Sequence, residues 1–211
     1  MTQTPLPVAR PSAPPESNVS WHEGNVDRAA RWKRLGQRGA TIWLTGLSGS
    51  GKSTIASAVE EHLIAAGRWA YRLDGDNLRH GVCSDLGFSR DDRAENARRV
   101  AELALLFADA GSVALVCLVS PYGADRRHAR ELHEQAGLDF IEVFVNTSLA
   151  ECARRDVKGL YAKARGGALA NLTGVGAPYE SPSAPDVELT EELGVASAAA
   201  RVLDALPAAV A

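Results

Sequence analysis

Gly46-Leu47-Ser48-Gly49-Ser50-Gly51-Lys52-Ser53 fits the spacing G-x-x-x-x-G-K-[ST] at every fixed position. Glycines at those positions let backbone N–H groups turn toward an anion with no Cβ in the way. A helix beginning at the lysine adds unpaired donors and a partial positive charge. Lys52 can then reach the β- and γ-phosphates of a nucleoside triphosphate, and Ser53 can hold a Mg²⁺ ion. A second group of chemical interest is Asp74-Gly75-Asp76. Carboxylates beside a nucleophile can orient it, accept its proton and hold a metal ion. Together they predict phosphoryl transfer to a hydroxyl, with the acceptor still open.

The flanking sequence supplies the elements these groups need. Residues 41–45 are β-branched and apolar, which predicts a buried strand leading into the loop. Ile55, Val59 and Leu63 follow at helical spacing, with Gly67 placed to end the helix. A second strand over 69–73 runs into Asp74-Gly75-Asp76. Ser89 and Asp92 form a capping-box-like start for a long helix to Ala110, with Gly111 beyond it. Strand 113–119 is apolar throughout and delivers Ser120-Pro121-Tyr122. A helix over 124–136, a strand over 140–145 and a helix from about Ser148 follow. A strand over 186–189 at the sheet edge and a helix over 195–206 close the chain. Residues 156–178 interrupt the rhythm with five glycines and with Lys158, Lys163 and Arg165, which suits a basic lid over phosphates.

The expected fold is α/β, of the P-loop NTPase type: a parallel sheet with helices on both faces and a Gly-rich lid. Ligands then gather at the carboxyl ends of the strands, where the loop, Asp74-Gly75-Asp76 and Ser120-Pro121-Tyr122 all fall. The expected organisation is a disordered Pro/Ser-rich leader over 1–18, an N-terminal extension over 19–39 with a short helix near 27–35, and a kinase domain over 40–211.

A net charge of −3 with mixed signs does not suggest a nucleic-acid binder. No apolar run is long enough to span a bilayer, and the amino end has no secretory h-region. Cys83, Cys117 and Cys152 have no metal-type spacing and read as reduced thiols of a cytoplasmic protein. The histidines show no ligand spacing and are expected at the surface, His128 and His133 included.

The chain resembles the adenylyl-sulfate kinase family from about Asn18 to its carboxyl end. The resemblance rests on Trp21-His22-Glu23-Gly24, GLSGSGKST from Gly46, LDGDNLRHG from Leu73, DLGFS from Asp85 and DRAENARR from Asp92. It continues through SPY at Ser120, FIEVFV from Phe140, RDVKGLYAKAR from Arg155 and PYESP from Pro178. The resemblance implies ATP-dependent phosphorylation of the ribose 3′-hydroxyl of adenylyl sulfate, with Mg²⁺, by a homodimer. It implies catalytic roles for Lys52, Asp74, Asp76 and Ser120, with metal at Ser53 and Asp74. ATP falls to Gly46, Ser48, Gly49, Ser50, Gly51, Lys52, Ser53, Thr54 and Arg155. Adenylyl sulfate falls to Asp74, Arg79, Phe88, Arg93, Asn96, Val119, Ser120, Lys158 and Leu172, with Phe88 stacking on the adenine. A covalent phosphoserine at Ser120 is conceivable, but direct in-line transfer needs fewer assumptions.

The sequence departs from the family pattern at three positions. Gly123 follows SPY where a basic residue is common, and Ala170 and Leu172 stand where the lid usually has a lysine and an aromatic. Leu172 is expected opposite Phe88 across the adenine, offering apolar contact in place of a stacking partner worth roughly 1–3 kcal/mol. Two alternatives accompany the leading reading: a P-loop kinase acting on another nucleoside or small polar alcohol, and a nucleotide-binding regulator without turnover.

Overall fold

In the computed structural model, residues 24–207 are described, together with Asn18, Ser20 and His22. The expected leader, apart from Asn18, lies outside the described residues, as do Trp21 and Glu23. From the amino end the elements are α1 (Arg28–Leu35), β1 (Ala40–Thr45), α2 (Lys52–Ala65), β2 (Ala70–Asp74), α3 (Gly75–Leu78), α4 (Arg90–Ala110) and β3 (Val113–Cys117). They continue with α5 (Gly123–Gln135), β4 (Asp139–Asn146), α6 (Leu149–Arg155), α7 (Leu160–Arg165), β5 (Val187–Thr190) and α8 (Val195–Asp204).

Every residue of β1 is buried, because it is the central strand of a five-stranded sheet ordered β2-β3-β1-β4-β5. All pairings are parallel, so the carboxyl ends of the strands share one edge. Alternation along β1 sends Ala40, Ile42 and Leu44 to one face, against Ile55, Val59 and Leu63 of α2 and Val202 of α8. Trp43 points to the other face, against Val100, Ala101 and Ala104 of α4, Ala129 of α5 and Phe140. Both faces are thus covered, which is why these strands read as apolar runs rather than alternating ones.

Local chemistry sets the element ends. The Asp27 carboxylate caps α1, and Ser89 and Asp92 complete a capping box on α4. Gly111 ends α4 at φ 102°, in the left-handed region that favours glycine. Strand β3 stops at Cys117, two residues before the sequence suggests, and the chain turns at Ser120, whose φ is 37°. The Gly-rich segment 156–178 is not all loop. Asp156 accepts hydrogen bonds from the Tyr161 and Ala162 N–H groups at 3.0 and 2.9 Å, and this turn starts α7.

All three cysteines are free and buried. His128 is exposed as expected, but His133 is fully buried. Its Nδ1 lies 2.8 Å from the Ala129 carbonyl oxygen. A carbonyl only accepts, so Nδ1 carries the proton and Nε2 accepts from the Thr41 hydroxyl at 2.9 Å. Surface placement fails because Thr41, 92 residues away, brings the ring a partner inside the core.

Burial pushes the His133 pKa down to about 4 from an ordinary 6.5. Above pH 6.5 the ring is neutral in both folded and unfolded chains, and its contribution is complete. As pH falls from 6.5 toward 4 the unfolded chain takes up a proton that the folded chain refuses, and stability is lost. Between pH 7 and 5 the loss from this group amounts to about 2 kcal/mol. Urea denaturation at the two pH values should show a drop smaller by that amount in His133→Gln than in the parent. Parallel drops would assign the acid sensitivity elsewhere.

Candidate active site

The loop between β1 and α2 begins at Gly46, where a Cβ would lie 2.7 Å from the Val145 carbonyl oxygen and 2.9 Å from Ser50 Oγ. Gly46, Gly49 and Gly51 have φ values of 151°, 78° and 108°. Five carbonyls of the loop in succession, those of residues 46–50, have side-chain partners. Lys52 Nζ donates to Gly46 O and Leu47 O at 2.9 and 2.7 Å. Tyr161 Oη donates to Ser48 O at 2.8 Å. Arg155 reaches Gly49 O and Ser50 O, both at 3.4 Å, and Thr147 Oγ1 donates to Ser50 O at 2.9 Å. Lys52 is buried, and desolvation pulls its ammonium down to about 8. Ser53 and Thr54 occupy the first turn of α2 and are exposed.

Asp74 ends β2 and caps α3: Oδ1 accepts from the Asp76 N–H at 3.0 Å, and Oδ2 accepts from Ser53 Oγ at 2.6 Å. Gly75 allows this turn against the end of β3, since a Cβ there would meet the Cys117 carbonyl oxygen at 3.1 Å and Leu118 Cδ2 at 2.6 Å. Asp76 forms an ion pair with Lys158. Ser53, Asp74, Asp76 and Lys158 therefore make one polar line from the phosphate loop to the Gly-rich segment.

Phe88 is 59% exposed at the start of α4. The Arg79 and Arg93 guanidiniums lie 4.3 and 5.6 Å from its ring centroid. Backbone carbonyls aim both: Arg79 Nη1 donates to Leu86 O and Gly87 O, and Arg93 donates to Phe88 O and to Asn171 O, at 2.8–3.1 Å. Partial burial lowers the pKa of each arginine. Asn96, one turn beyond Arg93, is buried with Nδ2 3.6 Å from Cys83 Sγ. Val119 is half-buried. Ser120 is 5% exposed, and its Oγ accepts from Trp43 Nε1 at 3.1 Å.

The sequence profile of the adenylylsulphate kinase family matches residues 38–190. The chain belongs to the adenylyl-sulfate kinase family. It is 53% identical over 192 residues to the adenylyl-sulfate kinase of Enterobacter sp. (strain 638), covering 90% of this chain and 94% of that protein. It is 55% identical over 172 residues to the bifunctional enzyme NodQ of Rhizobium sp. (strain BR816). That match covers 82% of this chain and only 27% of NodQ. The Mycobacterium tuberculosis APS kinase CysC, solved in complex with AMPPNP and APS, superposes with a TM-score of 0.79 at 52% identity. That superposition covers 80% of this chain and 98% of the other. As a member of the adenylyl-sulfate kinase family the chain is an enzyme, a kinase with the P-loop NTPase fold.

One site expectation needs correcting. Leu172 does not face Phe88. It is buried in an apolar cluster with Cys152 and Tyr161, and Leu47 packs against that cluster. The Asn171 carbonyl, held by Arg93, is the part of this segment that reaches the Phe88 side. Sequence reasoning also missed residues that brace the phosphate loop. Tyr161 lies inside the motif RDVKGLYAKAR, so a signal existed for it. Glu151, which accepts from Arg155 Nε at 2.8 Å, and Thr147 carried none.

A larger side chain at position 172 should therefore act on packing. Leu172→Phe is expected to cost about 1–3 kcal/mol by overpacking, read as a lower melting temperature, with no gain in affinity for adenylyl sulfate. Tighter substrate binding with an unchanged melt would show that the side chain faces the ligand after all.

Proposed function

We propose that this chain transfers the γ-phosphoryl group of ATP to the ribose 3′-hydroxyl of adenylyl sulfate, giving ADP and 3′-phosphoadenylyl sulfate. The observation that carries the reading is the polar line Ser53–Asp74–Asp76–Lys158. It joins a phosphate loop to two carboxylates and a lysine at the sheet edge where ligands of α/β folds bind. Phe88 with its two arginines supplies what this acceptor asks for, an aromatic face for a flat base and cations for a sulfated phosphate.

The amides of the loop and of the first turn of α2, with Thr54 and Arg155 at its rim, cradle the triphosphate. Lys52 offsets charge on the transferred group. Asp74 and Asp76 orient the acceptor hydroxyl, and a carboxylate there takes its proton. Ser53 Oγ and Asp74 Oδ2, 2.6 Å apart, are hard oxygen donors of the kind that suits Mg²⁺, so these two residues would hold the ion. Mg²⁺ there would neutralise charge on the β- and γ-phosphate oxygens. Arg79, Arg93, Asn96, Val119 and Lys158 bind the acceptor. Ser120 is a positioning group rather than a covalent carrier: its hydroxyl is buried and already accepts from an indole. The chain works as a homodimer in the cytoplasm. Three free thiols suit the compartment, and among the described residues no helix is long and apolar enough to cross a membrane.

ADP release should require adenylyl sulfate as well as ATP. Release with another nucleoside but not with adenylyl sulfate, or none at all, would overturn the substrate. Lys52→Ala should lower turnover by about 10²–10³. Asp74→Asn and Asp76→Asn should each lower turnover by about 10²–10⁴ while nucleotide affinity changes far less. Parent-like turnover in both Asn variants would remove the carboxylates from the mechanism. Light scattering should give twice the chain mass; any other mass overturns the dimer.

A further inference from the structure

The motif Pro178-Tyr179-Glu180-Ser181-Pro182 has no step in the reaction, yet its contacts converge on the acceptor loop. Glu180 N–H donates to Pro121 O at 2.8 Å, and its carboxylate accepts from Gly123 N–H at 2.7 Å. From the interior, Arg126 of α5 grips the same loop. It is 4% exposed, and its Nη1 donates to Ser120 O at 2.7 Å. Its Nη2 donates to Glu180 O and its Nε to Glu142 Oε1 on β4, each at 2.7 Å. One guanidinium thus ties together the acceptor loop, the segment leaving the lid, and a strand of the sheet.

The loop has a reason to need this grip. Ser120 has a φ of 37°, a left-handed conformation that residues with a side chain rarely adopt. Such a residue keeps that shape only where its surroundings over-determine it, and it tends to occur where geometry serves function. A planar fork with five N–H donors can meet three acceptors in different directions, whereas a lysine offers a single point of charge.

We infer that Arg126 is a positioning residue for the acceptor. With Glu142 as its counter-ion and Glu180 as its second handle, it clamps residues 120–123 and the carboxyl end of the lid to one point, so that the two are set together. The inference rests on the proposed function, in which this loop lines the adenylyl-sulfate side of the site.

Glu180→Ala is the cleanest test, because among the described residues the exposed carboxylate makes one hydrogen bond, to Gly123. Glu180→Gln keeps an acceptor there, and Arg126→Lys keeps charge without the fork. For each, kcat/KM for adenylyl sulfate would be measured at saturating ATP, alongside the affinity for a non-hydrolysable ATP analogue and the melting temperature. Glu180→Ala and Arg126→Lys should lose about ten-fold or more in kcat/KM. Their analogue affinity should stay within about two-fold, too little to register as a binding loss, and Glu180→Gln should regain most of the deficit. Parent-like kcat/KM in Glu180→Ala, or an equal loss in analogue affinity, overturns the clamp. If Arg126→Lys has no cooperative melt, the two Glu180 variants decide alone. A parent protein inactive on adenylyl sulfate overturns the proposed function, and the clamp with it; a parent-like Glu180→Ala in an active enzyme overturns the clamp alone.

Discussion

A loop that aims its amides at an anion must point its carbonyls away from it, and a buried carbonyl without a partner costs about 1–3 kcal/mol. This constraint organises the carboxyl edge of the sheet. The partners of residues 46–50 come from α2, from the turn after β4, from α6 and from α7. Segments far apart in the chain are held together because each supplies one donor to the same loop. The root of the Gly-rich segment is accordingly part of the phosphate loop's support. Tyr161 braces Ser48 O while its ring joins Leu172 and Cys152 in a small core of its own.

Helix α4 solves a different problem. Its 21 residues span about 31 Å at 1.5 Å per residue. Its first turns carry Arg93 and Asn96, and its last turn carries Asp109. Asp109 pairs with Arg28 and Arg31 of α1, and its carbonyl accepts from Trp32 Nε1 at 3.2 Å. Alanines 97, 101 and 104 let the rod lie close against the sheet, and Ala108 packs against Ala136 and Leu138. The amino-terminal helix is thus anchored at the end of α4 remote from Phe88. Its packing bears on stability and lies away from Arg93 and Asn96.

Much of this arrangement was legible in the residues because its causes are local. The strand before Gly46, the capping box at Ser89 and the glycines ending α2 and α4 act within a few positions of themselves. What escaped reading depends on partners distant in sequence. His133 looks like any helix-surface histidine until Thr41 arrives from β1. Leu172 looks like a ligand contact until Tyr161 and Cys152 enclose it. Helix α7 hid among glycines because its start is set by an Asp156 turn rather than by an apolar stripe. The motif at Tyr179 and Glu180 was visible as a pattern, but its meaning lies in Thr45, Gly123 and Arg126.

The three buried cysteines give the protein a practical property. A thiol reacts as its thiolate, and burial pushes Cys117 up to about 12 and raises Cys83 and Cys152 as well. With all three thiols also buried, alkylation of the native chain at neutral pH is expected to be slow. A cysteine introduced at Val157 or Val175, which are 82% and 51% exposed, would be the one fast-reacting thiol. A single fluorophore attached there would report movements of residues 156–178 without first stripping the protein of its own sulfur.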